Sequence, residues 1–267
     1  MPTTLRKSKT HNHEKEQDVV AVIVARKGSV RIKNKSMLLL GSETLIARKI
    51  RQLRECKEVS RVVFGSNCDD MLAHAQACGA EVVRRDEYFC DETKATANEV
   101  IRDMCSRITA DVIVWAHCTN PFISPATYDA VVCSFFDHLD KYDSLLSVVA
   151  LREHLWNGDK IPLNYNPYTE SHVPARELSP LYMQDGGIFI QPHEQMKANA
   201  YFFGKRPQLF EIPDEEFLDI NVERDYWFAQ AIHGHRCAEE IGDLHNLYFN
   251  DFSKYLSQLR KYIRKGQ

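Results

Sequence analysis

An eight-residue run, Asp18 to Ala25 (DVVAVIVA), sets the first limit on how this chain folds, because it shows no alternation of polar and apolar side chains. A strand that is apolar on both sides has to be covered on both faces, which is the situation of a parallel strand inside an α/β sheet. The segments after it repeat that logic. The pattern predicts a helix over 43–55, a strand over 59–65 and a helix over 69–78 ending at Gly79. A strand over 80–84 comes next, then a helix over 96–108 and a strand over 111–116. A helix over 125–139 and a strand over 143–150 complete the series. Strands alternating with helices at this spacing imply βαβ units and a doubly wound, mostly parallel Rossmann-like sheet. Ligands are then expected beyond the carboxyl ends of the strands, where strand order reverses. The loops after Ala25, Gly65, Arg84 and Ala116 are the ones to inspect.

The alternation stops at about 151–184, a stretch rich in Pro, Asn, His and Tyr that reads as an insertion, either a lid or an oligomer arm. Strands are expected again over 186–190 and 208–212, and a helix over 222–232. An amphipathic helix over 244–263 should pack as a terminal element. The chain thus divides into a polar tail (1–17), a main domain (18–236) and a helical extension (237–267). With 267 residues there is room for one large domain with an appendage.

Composition excludes several classes. A net charge of −3 and the lack of an aromatic-basic module argue against nucleic acid. No run approaches the roughly 18 apolar residues of a membrane span, and the tail has no apolar signal core. The eight cysteines include no C-x-x-C pair, so they read as reduced thiols of a cytoplasmic protein rather than zinc ligands.

The loop after the first strand, Ala25 to Ser36 (ARKGSVRIKNKS), carries five cations, Arg26, Lys27, Arg31, Lys33 and Lys35, and no acid occurs before Glu43. Gly28 lets backbone amides approach an anion, and Arg can grip two phosphate oxygens where Lys offers a point charge. The position and charge suit a polyphosphate, although the loop is neither a P-loop nor G-x-G-x-x-G.

This phrase resembles the A-R-x-G-S-[KR]-x-[IL]-x-x-K-N signature of the CMP-sugar synthetases, the acylneuraminate cytidylyltransferase family, which includes aminoalkylphosphonate cytidylyltransferase relatives. Further segments are similar to family motifs in the same order: VVFGSNCD (62–69), GAEVVRR (79–85), DETKAT (91–96), AHCTNPF (116–122), MQDGGIFI (183–190) and FLDINVERD (217–225). The resemblance implies a nucleotide-diphospho-sugar transferase type of fold. It also implies a CTP-dependent transfer of CMP to a small acidic acceptor with release of pyrophosphate. By the same resemblance Arg26, Gly28, Ser29 and Lys35 hold the triphosphate, and Arg85 and Thr96 meet the nucleotide. Asp219 and Asn221 bind Mg2+, so Arg26, Lys35 and Asp219 carry the catalysis. His117, Asn120, Asp185 and Arg176 fall on the acceptor side. The insertion is implied to form a homodimer.

Departures from the pattern bear on the acceptor. Asn221 replaces a carboxylate, Met183 an arginine that grips the acylneuraminate carboxylate, and Asp185 an asparagine. The favoured acceptor is a nonulosonic acid such as N-acylneuraminate. A second reading takes 2-aminoethylphosphonate, whose ammonium would pair with Asp185. A third, of another class, is a nucleotide-binding module without transfer activity.

Overall fold

The computed structural model describes residues 17–29 and 31–241. The 1–16 part of the expected tail and the expected helix over 244–263 lie outside these residues.

Seven strands form the main sheet. They are β1 (Val19–Val24), β4 (Arg61–Ser66), β5 (Glu81–Arg84), β6 (Val112–Ala116), β7 (Ser144–Leu151), β8 (Leu181–Pro192) and β9 (Pro207–Glu211), in the spatial order β5-β4-β1-β6-β8-β7-β9. A two-stranded ribbon, β2 (Leu39–Leu40) with β3 (Glu43–Thr44), stands apart. The helices are α1 (Leu45–Arg54), α2 (Asp69–Ala77), α3 (Ala97–Ser106), α4 (Pro125–Asp137), α5 (His193–Asn199) and α6 (Glu223–Ile241).

The unbroken apolar run of β1 has the expected consequence. Its odd-numbered residues, Val19, Ala21 and Ile23, enter one core with Leu45, Ile50, Tyr128 and Val131. Its even-numbered residues, Val20 and Val22, enter the other, with Ile101, Met104 and Met196. Side chains alternate across a strand, so a strand covered on both sides must be apolar at every position.

The helices begin where their caps dictate. Thr44 Oγ1 accepts from the Ala47 amide at 3.0 Å, so α1 starts at Leu45 and Glu43 belongs to the β2–β3 ribbon rather than to the helix. Ser124 caps α4 with Pro125 in its first turn. Gly79, at φ +91°, turns the chain from α2 into β5.

Several features differ from the sequence expectation, among them α6, which continues to Ile241 past the expected end at 232 and across the expected 236/237 boundary. β8 begins at Leu181 rather than 186 and runs antiparallel between β6 and β7. The second half of β8 pairs along β6, and the carboxyl end of β6 meets the middle of β8, where Ile188 pairs with Ala116. α5 follows β8 directly; seven residues are too few to show a helical period. Residues 152–180 carry little regular structure beyond a bridge between Trp156 and Pro162 and a short turn of helix over Ala175–Glu177.

Candidate functional site

β1 pairs with β4 on one side and β6 on the other, so chain order reverses between β1 and β6. A cleft of about 610 Å³ opens there, lined by Val24 and Ala25 from the end of β1 and by Trp115, His117 and Cys118 from the end of β6. This is the crevice that doubly wound sheets offer to ligands.

The cleft is strongly cationic. Arg26, Arg31, Lys35 and Arg85 line it, with Ser29 and Ser36. Backbone ties fix the loops that present them: Ala25 N donates to Gly65 O at 3.0 Å and Arg85 N to Ser66 O at 2.9 Å. Asn67 joins three loops, accepting from Lys27 N at 2.9 Å and donating to Glu87 at 2.6 Å. Gly28 adopts φ +84° within the first loop, a conformation that glycine takes without strain. Lys35 Nζ donates to Ile220 O at 2.9 Å, and burial lowers its pKa against the opposing pull of Asp219. Arg85 is buried, donates to Phe89 O at 2.6 Å, and is likewise pushed down by desolvation.

Of the residues expected from sequence, Arg26, Ser29, Lys35, Arg85 and His117 line this wall. His117 is half-buried with both ring nitrogens engaged. Nδ1 lies 2.6 Å from Gly186 O, and Trp115 Nε1–H points at Nε2 from 3.3 Å. That pattern fixes the neutral Nδ1–H tautomer, and burial lowers the pKa in the same sense. Thr96 caps α3 in a reciprocal box with Glu99, which commits its hydroxyl to the helix. Asn120 is buried and donates to the Asp185 carbonyl at 3.1 Å.

Asp185 is also buried. Its Oδ1 accepts from Ser147 at 2.5 Å, and desolvation pushes its pKa up. The carboxylate expected to meet an ammonium thus belongs to the β7–β8 interior. Arg176 is exposed on the insertion and pairs with its neighbour Glu177 at 3.3 Å.

Asp219 and Asn221 stand beside the cleft, linked to it through Lys35 on the intervening Ile220. Asn221 Nδ2 donates to Asp219 Oδ2 at 2.6 Å, while Asn221 Oδ1 accepts from Arg31 at 3.1 Å. The reverse amide orientation would set oxygen against carboxylate and N–H against guanidinium, so the observed one is the satisfied one. Asp219 Oδ1 is buried with no hydrogen-bond partner among the described residues. A bare carboxylate oxygen suits a hard cation. Asn221 oxygen is already spent on Arg31, and no group of three or more His, Cys, Asp or Glu side chains that could hold a metal occurs among the described residues.

A family profile described as Cytidylyltransferase matches residues 20–254. The chain belongs to the cytidylyltransferase family. Among curated relatives of this family member, the N-acylneuraminate cytidylyltransferase of Escherichia coli is 23% identical over 240 residues, covering 86% of this chain and 55% of the relative. The CMP-N,N'-diacetyllegionaminic acid synthase of Campylobacter jejuni is 24% identical over 230 residues, covering 80% and 94%. The chain spans about half the length of the E. coli relative and of others it matches. Among solved structures, CMP:2-keto-3-deoxy-manno-octonic acid synthetase complexed with CTP shares the fold at TM-score 0.59 and 15% identity, covering 82% of this chain and 100% of the other.

Several cleft residues have weak or no sequence signals. Arg31 is one cation among five in its loop, and its tie to Asn221 joins positions 190 residues apart. Glu92 lies inside the DETKAT segment with no signal of its own, and Phe202 in a loop with no motif at all, yet both line the cleft.

Proposed function

We propose that this chain transfers CMP from CTP to a small acidic acceptor and releases pyrophosphate. The observation that carries this reading is the cluster of Arg26, Arg31, Lys35 and Arg85 in one cleft at the β1/β6 crevice. Such a set suits a polyphosphate. The relatives named for N-acylneuraminate and N,N'-diacetyllegionaminic acid support a nine-carbon sugar acid as acceptor.

In the mechanism the acceptor hydroxyl oxygen attacks the α-phosphorus in line, forming one P–O bond as the bond to pyrophosphate breaks, and the hydroxyl proton passes to water. Arg26, Arg31 and Lys35 hold the triphosphate and take up the charge that collects on the departing group. Arg85 binds the nucleotide from its buried position. Asp219 would hold Mg2+, which supplies further charge neutralisation on the phosphates. Asn221 acts through Arg31, whose guanidinium it orients. His117, neutral and held by Gly186, shapes the wall rather than moving a proton. The 2-aminoethylphosphonate alternative needs an ammonium partner, and the buried Asp185 is poorly placed to be one.

The insertion exposes Trp156, Ile161, Leu163 and Tyr168, an apolar set that supports a homodimer formed through this segment. A monomeric mass at micromolar concentration would refute that. The function itself is tested by pyrophosphate release from CTP and Mg2+ with N-acetylneuraminate, other nonulosonic acids, an octulosonate and 2-aminoethylphosphonate. Release with a sugar acid is expected. Release only with the aminophosphonate would overturn the acceptor class, and CTP binding without release would favour a non-catalytic nucleotide binder.

A further inference from the structure

Three of the four cations in the cleft are held by uncharged oxygens. Lys35 donates to the Ile220 carbonyl, Arg31 to the Asn221 amide oxygen and Arg85 to the Phe89 carbonyl. Partners of that kind orient a cation and leave its charge available. Arg26 is different. Its Nη2 donates to Glu92 Oε2 at 2.5 Å, while Nη1 faces the carbonyls of Gly28 and Cys90 at 3.4 and 3.5 Å. Glu92 is the only acid among the described residues lining the cleft.

The neighbouring acid does not share this role. Asp91 is absorbed by its own turn, accepting from Thr93 N at 3.0 Å and Thr93 Oγ1 at 2.7 Å and pairing with Lys94 at 3.2 Å. Glu92 instead crosses from the segment after β5 to the loop after β1. The pair therefore spans the cleft between the two loops that hold the phosphate-binding cations.

We propose that Glu92 is a latch on Arg26 which a phosphate group has to displace, and that its charge sets how tightly the cleft holds polyphosphate. The inference rests on the reading of this cleft as the triphosphate site. Carboxylate and phosphate compete for the same guanidinium fork. Once displaced, Glu92 remains a negative charge beside the bound anion. It weakens CTP and pyrophosphate alike, which lowers substrate affinity and hastens departure of the charged product. Arg26 and Glu92 are 28% and 61% exposed, so solvent screens the pair and the effect is modest.

The test is Glu92→Gln in the full chain, with Kd measured by calorimetry for pyrophosphate, CTP and uncharged cytidine. The expected result is tightening of pyrophosphate and CTP by about three- to tenfold at low salt, a gain that shrinks as salt rises, with cytidine unchanged. Glu92→Ala should tighten both anions in the same way, and Glu92→Asp should stay near wild type. Unchanged or weaker anion binding by Glu92→Gln, with an unaltered melting curve, would overturn the latch, as would equal tightening of cytidine. A wild-type chain that binds neither CTP nor pyrophosphate would instead remove the function on which the latch depends.

Discussion

Lys49 lies on the buried face of α1 between Leu45 and Leu53, fully enclosed, with Nζ donating to Tyr128 Oη at 2.8 Å. Desolvation pulls its pKa from 10.5 down to about 7, although Cys118, Cys56, Glu216 and Asp185 pull the other way. The folded pKa lies below the unfolded one, so between about pH 7 and 10.5 the unfolded chain binds a proton that the native chain releases. Stability must then rise with pH through that window, and the gain fades as pH falls below about 7, where both states carry the proton. With the shift of Lys49 from 10.5 to about 7, the slope near pH 8 is about 1.2 kcal/mol per pH unit, or about 1.5 kcal/mol between roughly pH 7 and pH 8.5.

Lys49→Met removes the titrating group and leaves Tyr128 without its donor. Tyr128 itself is pushed well above its usual range by burial, so that loss is a constant offset across the window. Urea unfolding of wild type and Lys49→Met at several pH values, taken as a difference, cancels the other titrating groups. Buried thiols such as Cys56, pushed up to about 12, act in the opposite sense above about pH 9 and make the difference measurement necessary. The wild-type gain of about 1.5 kcal/mol over the variant is the expected result. Parallel curves for the two proteins would show that Lys49 is charged throughout or solvated in the native state, and would overturn the linkage.

Three further outcomes are expected. Lys35→Met and Arg26→Ala should each weaken CTP by about 1.5–3 kcal/mol, roughly ten- to a hundredfold, since each removes a charge-assisted contact; calorimetry reads this directly. Asp219→Asn should abolish Mg2+-dependent turnover while CTP binding in chelator stays within about twofold, because one orphaned carboxylate oxygen is lost and the cationic cleft is not. Thr96→Ala should cost about 1 kcal/mol in unfolding free energy through loss of the α3 cap, with CTP affinity changed by less than about twofold; a large affinity loss would instead give the hydroxyl a ligand.

Local and periodic physics settles part of this protein from the chain alone. A run apolar at every position forces a strand into the middle of a sheet, and β1 lies there with its odd and even residues in separate cores. The turn chemistry of Gly79 and the helical pattern place the boundaries of α2, α3 and α4 to within a residue or two. The concentration of cations after β1 ends up in the cleft, because a loop following a central parallel strand has only one rim to reach. Tertiary structure decides what depends on partners distant in sequence. The antiparallel course of β8 comes from pairing with β6 and β7, which no window of the sequence contains. Asp185 reads as an acceptor-side partner for an ammonium in its motif, yet Ser147, 38 positions earlier, takes its carboxylate into the interior. Asn221 finds its partner in Arg31, and Arg26 meets Glu92, only once separate loops converge on the crevice. Charge and periodicity are properties of the chain, but which charge is cancelled and which stays available is a property of the fold.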